Sequence, residues 1–254
     1  MGKTISIINN KGGTGKTTTV LNLGAALKNM GHKVLLIDLD TQSNLTHALH
    51  IKGNNKHIGE VLLNKCSFKD AIQQVEGIDI IPSNNNLLDF EYLINNEPGR
   101  EFLLREALAK TNSYDYVLMD CPPSMGTLSV NSLVAANSYI VPMQAENFAF
   151  IGLDRILQTA NKVKQRMNTH LELLGILFVK YRPRTKFGQA VVSNIAQNAL
   201  LKNKLFNSYI RQDIQLMEAP AFGQSIFEYA PKGRGAYDYM TFAKELHQLI
   251  TVSK

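Results

Sequence analysis

Short, unbroken apolar runs alternate along the chain with longer stretches in which apolar residues recur at helical spacing. Residues 5–8, 34–37, 78–81, 116–119, 139–141 and 173–179 are rich in β-branched side chains and lack the in-out alternation of a half-exposed strand. Each is expected to be a strand buried on both faces. Between them, residues 17–30, 100–111, 126–137, 153–167, 188–202 and 236–250 carry the helical period, with Gly31 placed to close the first helix. The order β-α-β-α predicts an α/β fold, a doubly wound and mostly parallel sheet with helices on both faces. Such sheets bind ligands at the carboxyl ends of their strands, so the residues just after those strands are the candidates for function.

A length of 254 residues with 44% hydrophobic content suffices for one core, so a single domain over 1–254 is expected. No run approaches the roughly 18 apolar residues of a membrane helix, and no signal-peptide series follows Met1, which predicts a soluble cytoplasmic protein. Cys66 and Cys121 are far apart and have no paired Cys or His spacing, which argues against a disulfide framework, a zinc site or an iron–sulfur cluster. The net charge of +6 is unevenly distributed. Residues 1–154 carry 12 Lys/Arg against 15 Asp/Glu, and residues 155–254 carry 15 against 6, a net of +9. A basic half on an otherwise balanced chain points to a polyanion, with nucleic acid ahead of an anionic membrane.

Directly after the first strand comes Asn10-Lys11-Gly12-Gly13-Thr14-Gly15-Lys16-Thr17-Thr18, and then a helix. Three glycines leave successive backbone N–H groups open, and the helix N-terminus aims them at a phosphate chain. Lys16 supplies a cation for the β- and γ-phosphates, and the Thr17 hydroxyl is placed to ligate Mg²⁺. The ordinary P-loop pattern has Gly six residues before the Lys, where this chain has Asn10. Instead a second lysine, Lys11, opens the loop, and with Lys16 already serving the local phosphates its natural target is another nucleotide. The second strand runs into Asp38-Leu39-Asp40-Thr41-Gln42-Ser43-Asn44, where two carboxylates spaced by two are expected on the same side beyond the strand edge, suited to a metal and a polarised water. The strand over 116–119 is followed by Asp120, the Walker B pattern of an apolar strand closed by a Mg²⁺-side acid.

These motifs together resemble the ParA/MinD family of deviant Walker A ATPases, whose signature Lys-Gly-Gly-x-Gly-Lys-Thr-Thr matches Lys11 to Thr18. The resemblance implies a P-loop ATPase using ATP and Mg²⁺, in which Lys11 reaches across an ATP-sandwiched homodimer to the opposite subunit's phosphates. It implies that Asp40 positions the attacking water and that Asp38 is a metal-shell or structural carboxylate, although Thr41 replaces the family's Pro. It also makes Cys121-Pro122-Pro123 the switch II segment after Asp120. The match continues through Gly175 to Thr185, Glu218-Ala219-Pro220 and Pro231 to Ala236, and is nearest to the short Soj-type ParA proteins.

In those proteins the ATP-bound dimer binds DNA non-specifically, and a ParB-like protein stimulates hydrolysis, which implies a nucleoid-associated protein. Arg184 occupies one DNA-contacting position and Gln215 replaces a second arginine. Lys180, Arg182, Lys186, Lys202, Lys204 and Arg211 are the further candidate cations, and Arg211 to Asp213 the candidate base and ribose site. The rivals are a MinD-like membrane or cargo switch, a P-loop small-molecule kinase or synthetase, and an iron–sulfur reductase. The first needs a basic amphipathic C-terminal helix. Instead Tyr237, Met240, Phe242, Leu246 and Leu249 are expected to form a core-closing face, so no stable membrane anchor is expected. The iron–sulfur reductase would need more cluster cysteines than Cys121.

Overall fold

The structure, a computed structural model, describes residues 2–51, 56–111, 113–146, 149–198 and 201–252. The elements in chain order are β1 (Lys3–Ile7), α1 (Lys16–Asn29), β2 (Val34–Asp38), α2 (Asn44–Ala48), α3 (Ile58–Leu62), α4 (Phe68–Ala71), β3 (Gln73–Val75), β4 (Ile78–Ile81) and α5 (Leu87–Ile94). They continue with α6 (Leu103–Ala109), β5 (Tyr116–Asp120), α7 (Thr127–Ala135), β6 (Ser138–Met143), α8 (Ala149–Arg166), β7 (Glu172–Phe178), α9 (Lys186–Gln197), α10 (Gln215–Glu218), α11 (Ile226–Tyr229) and α12 (Arg234–Val252).

Seven strands form one sheet in the order β3-β4-β2-β5-β1-β6-β7, parallel throughout except for the β3–β4 pair. Successive side chains leave a strand on opposite faces. Ile37, Met119, Val141 and Phe178 enter one apolar layer with Leu104, Leu133, Ile156 and Val191 of α6 to α9. Leu36, Leu118, Ile140 and Leu177 enter the other with Leu23 and Leu27 of α1 and Phe242 and Leu246 of α12. Both faces are covered, which is why these strands read as continuous apolar runs. Where α7 meets β1 the layer is not purely apolar: Ser6 Oγ lies 2.9 Å from Ser132 Oγ and 3.2 Å from Cys121 Sγ. Burial pushes the Cys121 thiol up to about 11, so it packs as an uncharged group.

The expected doubly wound sheet is present, with differences at its margins. β3 was not anticipated, because Gln-Gln-Val is short and polar and sits at the sheet edge. The helix expected over 100–111 begins with a 3₁₀ turn, Arg100–Phe102, before α6. α9 stops at Gln197, and residues 199 and 200 of the longer helix expected there lie outside the described residues. The inward face of α12 is also corrected. Tyr239, Phe242, Ala243, Leu246 and Ile250 are buried, whereas Tyr237 and Leu249 point outward. The Tyr239 hydroxyl meets Thr19 of α1 at 3.3 Å, a polar handle that makes a tyrosine at this core position tolerable. No helix of the described residues is long and apolar enough to cross a membrane.

Candidate active site

The loop between β1 and α1 is tied to the neighbouring strand β6 by Asn9, whose Nδ2 donates to the Pro142 carbonyl at 2.7 Å while its Oδ1 accepts from Lys11 N at 3.0 Å. Gly13 and Gly15 take φ of 73° and 78°, a left-handed conformation that costs other residues a Cβ clash. Gly15 precedes α1, and no side chain caps the helix nor any acid occupies its first turn, so its N–H groups are left to an anion. At Gly12 and Gly13 an added Cβ would meet nothing within 4 Å, so no neighbour among the described residues requires these glycines to be small.

Lys16 is buried, and its Nζ donates to the Lys11 carbonyl at 3.3 Å, the same oxygen that accepts from Thr14 Oγ1 at 3.1 Å. Thr18 is half-buried, one residue beyond Thr17 on the first turn of α1. Lys11 itself is exposed and paired with the Glu146 carboxylate beyond β6. Gln144 Nε2 at 2.7 Å and Lys180 Nζ at 3.1 Å both donate to the Gly13 carbonyl.

The three acids share one strand edge but not one environment. Asp38 and Asp120 end the neighbouring strands β2 and β5 in direct register, and both are fully buried. Asp120 Oδ2 accepts from Thr17 Oγ1 at 2.7 Å, while its Oδ1 is buried without a hydrogen-bond partner. Such an orphaned acceptor is costly unless a cation or its water completes it, so the pair Thr17 and Asp120 fits Mg²⁺. Burial, followed by the Asp38 charge, holds the Asp120 carboxyl well above the usual carboxylate range.

Asp38 is different. Its Oδ2 accepts from Thr46 N at 2.9 Å and Thr46 Oγ1 at 2.7 Å, and its Oδ1 from Asp40 N at 3.0 Å. Burial outweighs these bonds and pushes it up to about 6. Of the two roles left open by the sequence, this geometry favours the structural one: Asp38 fastens α2 to the end of β2 instead of opening onto the strand edge beside Asp40. Asp40 begins a turn, accepting from Gln42 N at 3.0 Å and Asn44 Nδ2 at 3.2 Å, and Ser83 Oγ holds its carbonyl at 2.8 Å.

A family profile described as an AAA domain matches residues 2–173. The sporulation initiation inhibitor protein Soj of Bacillus subtilis is 38% identical over 97% of this chain and 98% of its own length. The chromosome-partitioning ATPase Soj of Treponema pallidum is 37% identical over 97% of each. The chain belongs to the ParA/MinD family, in its Soj-type branch. A solved structure titled cobyrinic acid a,c-diamide synthase from Mycobacterium smegmatis, with bound ADP and magnesium, is 33% identical, with a TM-score of 0.83 over 100% of this chain and 97% of that one. This Soj-type chain is an ATPase, and its cofactors are ATP and Mg²⁺.

Lys180, Arg182 and Arg184 lie together in the connection between β7 and α9, and Lys186 is the first residue of α9, but two of the four have partners within the chain. Lys180 is turned onto the phosphate loop, and Arg182 donates through Nε to Gln212 Oε1 at 2.9 Å. Arg211 is not a free surface cation: its Nε and Nη2 form a two-pronged ion pair with the buried Asp238. Asp213 accepts from the backbone N–H groups of Gln215 at 3.1 Å and Gly235 at 2.9 Å, so it braces the start of α12. Arg184 and Lys186 are exposed at the start of α9. Lys202 is exposed and Lys204 half-buried, but the Lys204 carbonyl bonds Ile176 N, which sets them beside the middle of β7, away from the loop that follows it. Sequence reasoning missed Gln144, Glu146 and the inward turn of Lys180. All three follow the carboxyl ends of β6 and β7, so the rule of looking just past each strand was the signal available.

Proposed function

We propose that the chain is a chromosome- or plasmid-partition ATPase that works as an ATP-closed homodimer on DNA, released when a ParB-like partner stimulates hydrolysis. The observation that carries this reading is Lys11. A second lysine stands exposed at the rim of a phosphate loop whose own cation, Lys16, is already in place. In the reading, ATP lies along the N–H groups of residues 12–17 and Lys16 swings from the Lys11 carbonyl onto the β/γ-phosphates. Thr17 and Asp120 hold Mg²⁺, which neutralises charge on the phosphates.

Lys11 exchanges Glu146 for the partner subunit's nucleotide, stabilising charge on the transferring phosphoryl group as a cation supplied in trans. Asp40 aligns the attacking water, and Asp38 keeps the loop carrying it anchored through Thr46. Exposed Arg184 and Lys186, doubled by dimerisation, face DNA phosphates, with Arg182 shared with Gln212. Lys202 and Lys204 form a separate cationic site farther down β7. Binding is therefore expected to be sequence-indifferent and salt-dependent.

Filter binding to random-sequence duplex DNA across a salt series, with ATP or ADP, tests the reading. Binding that needs ATP, weakens steeply with salt and is lost in Arg184→Glu with basal ATPase intact supports it. Binding that ignores nucleotide or salt contradicts it. The likeness to a protein titled as a synthase supports a second reading, ATP turnover coupled to a small-molecule acid. Turnover that responds to a metabolite and not to DNA or a protein partner would favour that reading.

A further inference from the structure

We infer that Lys180 is a positioning residue for ATP: with Gln144 it fixes the peptide between Gly13 and Thr14 so that the Thr14 N–H, and not the Gly13 carbonyl, is turned to the phosphates. The inference rests on the reading in which ATP lies along residues 12–17. Both donors come from outside the loop. Gln144 Nε2, just past β6, lies 2.7 Å from the Gly13 oxygen, and Lys180 Nζ, just past β7, lies 3.1 Å from it, 131 and 167 positions away in the sequence. A carbonyl oxygen has two lone pairs, so the two donors fill it. Gly13 is exposed, and water alone could satisfy its carbonyl. Two side chains from separate strands that converge on one oxygen do more, because they set its direction.

The backbone that delivers Lys180 is itself held. Val179 N donates to the Met143 carbonyl at 2.9 Å and Tyr181 N to the Ile210 carbonyl at 3.0 Å, and both side chains are buried. Between them Lys180 takes φ of 50°, a left-handed backbone that a residue with a Cβ keeps only when its surroundings impose it. No carboxylate among the described residues pairs with the Lys180 ammonium. The loop needs the restraint. Gly13 has φ of 73°, and an added Cβ there would meet nothing within 4 Å, so no side-chain packing limits its rotation. In a planar trans peptide the carbonyl and the following N–H point in opposite directions. Releasing the Gly13 oxygen therefore lets this unit turn over, which withdraws one N–H from the anion and sets a carbonyl oxygen against phosphate oxygens.

Calorimetric ATP binding with Mg²⁺, steady-state phosphate release and thermal melting of Lys180→Met and Gln144→Leu test this. Each variant removes one donor from the same oxygen, and only the first removes a charge. Both should raise Kd and KM for ATP about fivefold, the size of one hydrogen bond, with kcat within about twofold and Tm unchanged. An unchanged Kd in Lys180→Met overturns the inference, as does a loss of kcat at constant KM. Weaker binding accompanied by a fall in Tm would make the role merely structural and overturns it too. So does weaker binding in Lys180→Met without the same in Gln144→Leu, which would leave Lys180 acting by charge alone. Lys16→Ala run alongside keeps two failures apart. If it abolishes ATP binding while Lys180→Met binds normally, only the role of Lys180 falls; if it too binds normally, the placing of ATP on the loop falls with it.

Discussion

Asp38 and Asp120 stand side by side at the ends of β2 and β5, fully buried, and their carboxyl groups are both pushed upward by burial. A carboxyl whose pKa is higher folded than unfolded binds protons preferentially in the folded chain, so metal-free stability falls as pH rises from about 4 through 6 and beyond. For Asp38, raised to about 6, the fall runs through that pH. Thermal melting in chelator should therefore show a higher Tm near pH 5 than near pH 7.5, with Mg²⁺ and ATP flattening the difference. A metal-free chain that gains stability across that interval contradicts the assignment.

Asp40 acts on water in this account and not on the phosphates, so Asp40→Ala should retain ATP binding and lose turnover by roughly 100-fold or more, the range for removing a positioned base. Steady-state phosphate release beside calorimetric ATP binding would show this, and unchanged turnover would remove Asp40 from the mechanism. The phosphate loop was legible in the sequence because its backbone demands are met by residues adjacent in the chain. The partners of Gly13 and Lys11 were not, since Gln144, Glu146 and Lys180 arrive from β6 and β7, and no local pattern relates them to residues 11–13.

At the scale of elements, the strands buried on both faces were readable as apolar runs, whereas the exposed edge strand β3 left no such trace. α12 shows the limit of periodicity. Counting aromatic and aliphatic residues put Tyr237 and Leu249 inside, but the packed stripe runs through Tyr239, Phe242, Leu246 and Ile250. The loop from β1 to α1 separates two kinds of glycine, and substitution should separate them too. Gly15→Ala forces a left-handed residue to carry a Cβ 3.4 Å from Val179, which should cost about 1–2 kcal/mol and lower Tm by several degrees. Gly12→Ala meets nothing within 4 Å, so Tm should hold while ATP-dependent function falls, because the obstructed space belongs to the nucleotide or the opposing subunit. Scanning calorimetry with ATPase assays distinguishes the cases, and an active Gly12→Ala would argue that the space above the loop stays empty.

For the whole molecule, the cations behind the net of +9 over residues 155–254 lie in different settings. Arg211 is consumed by Asp238, Lys180 by the phosphate loop, and Lys202 with Lys204 lies beside β7. On the proposed DNA-binding reading, Gln215→Arg adds one cation per subunit and should tighten DNA binding and steepen the salt slope by about one released counterion per subunit. An unaltered slope would place DNA elsewhere.

Whether ATP joins two copies through Lys11 is read by sedimentation velocity on the hydrolysis-slowed Asp40→Ala chain. With Mg²⁺ and ATP that chain should sediment as a dimer, and with ADP as a monomer. Adding Lys11→Ala should leave ATP bound but return the chain to monomer, whereas adding Lys16→Ala should abolish binding itself. A Lys11→Ala, Asp40→Ala chain that still dimerises with ATP would contradict the account.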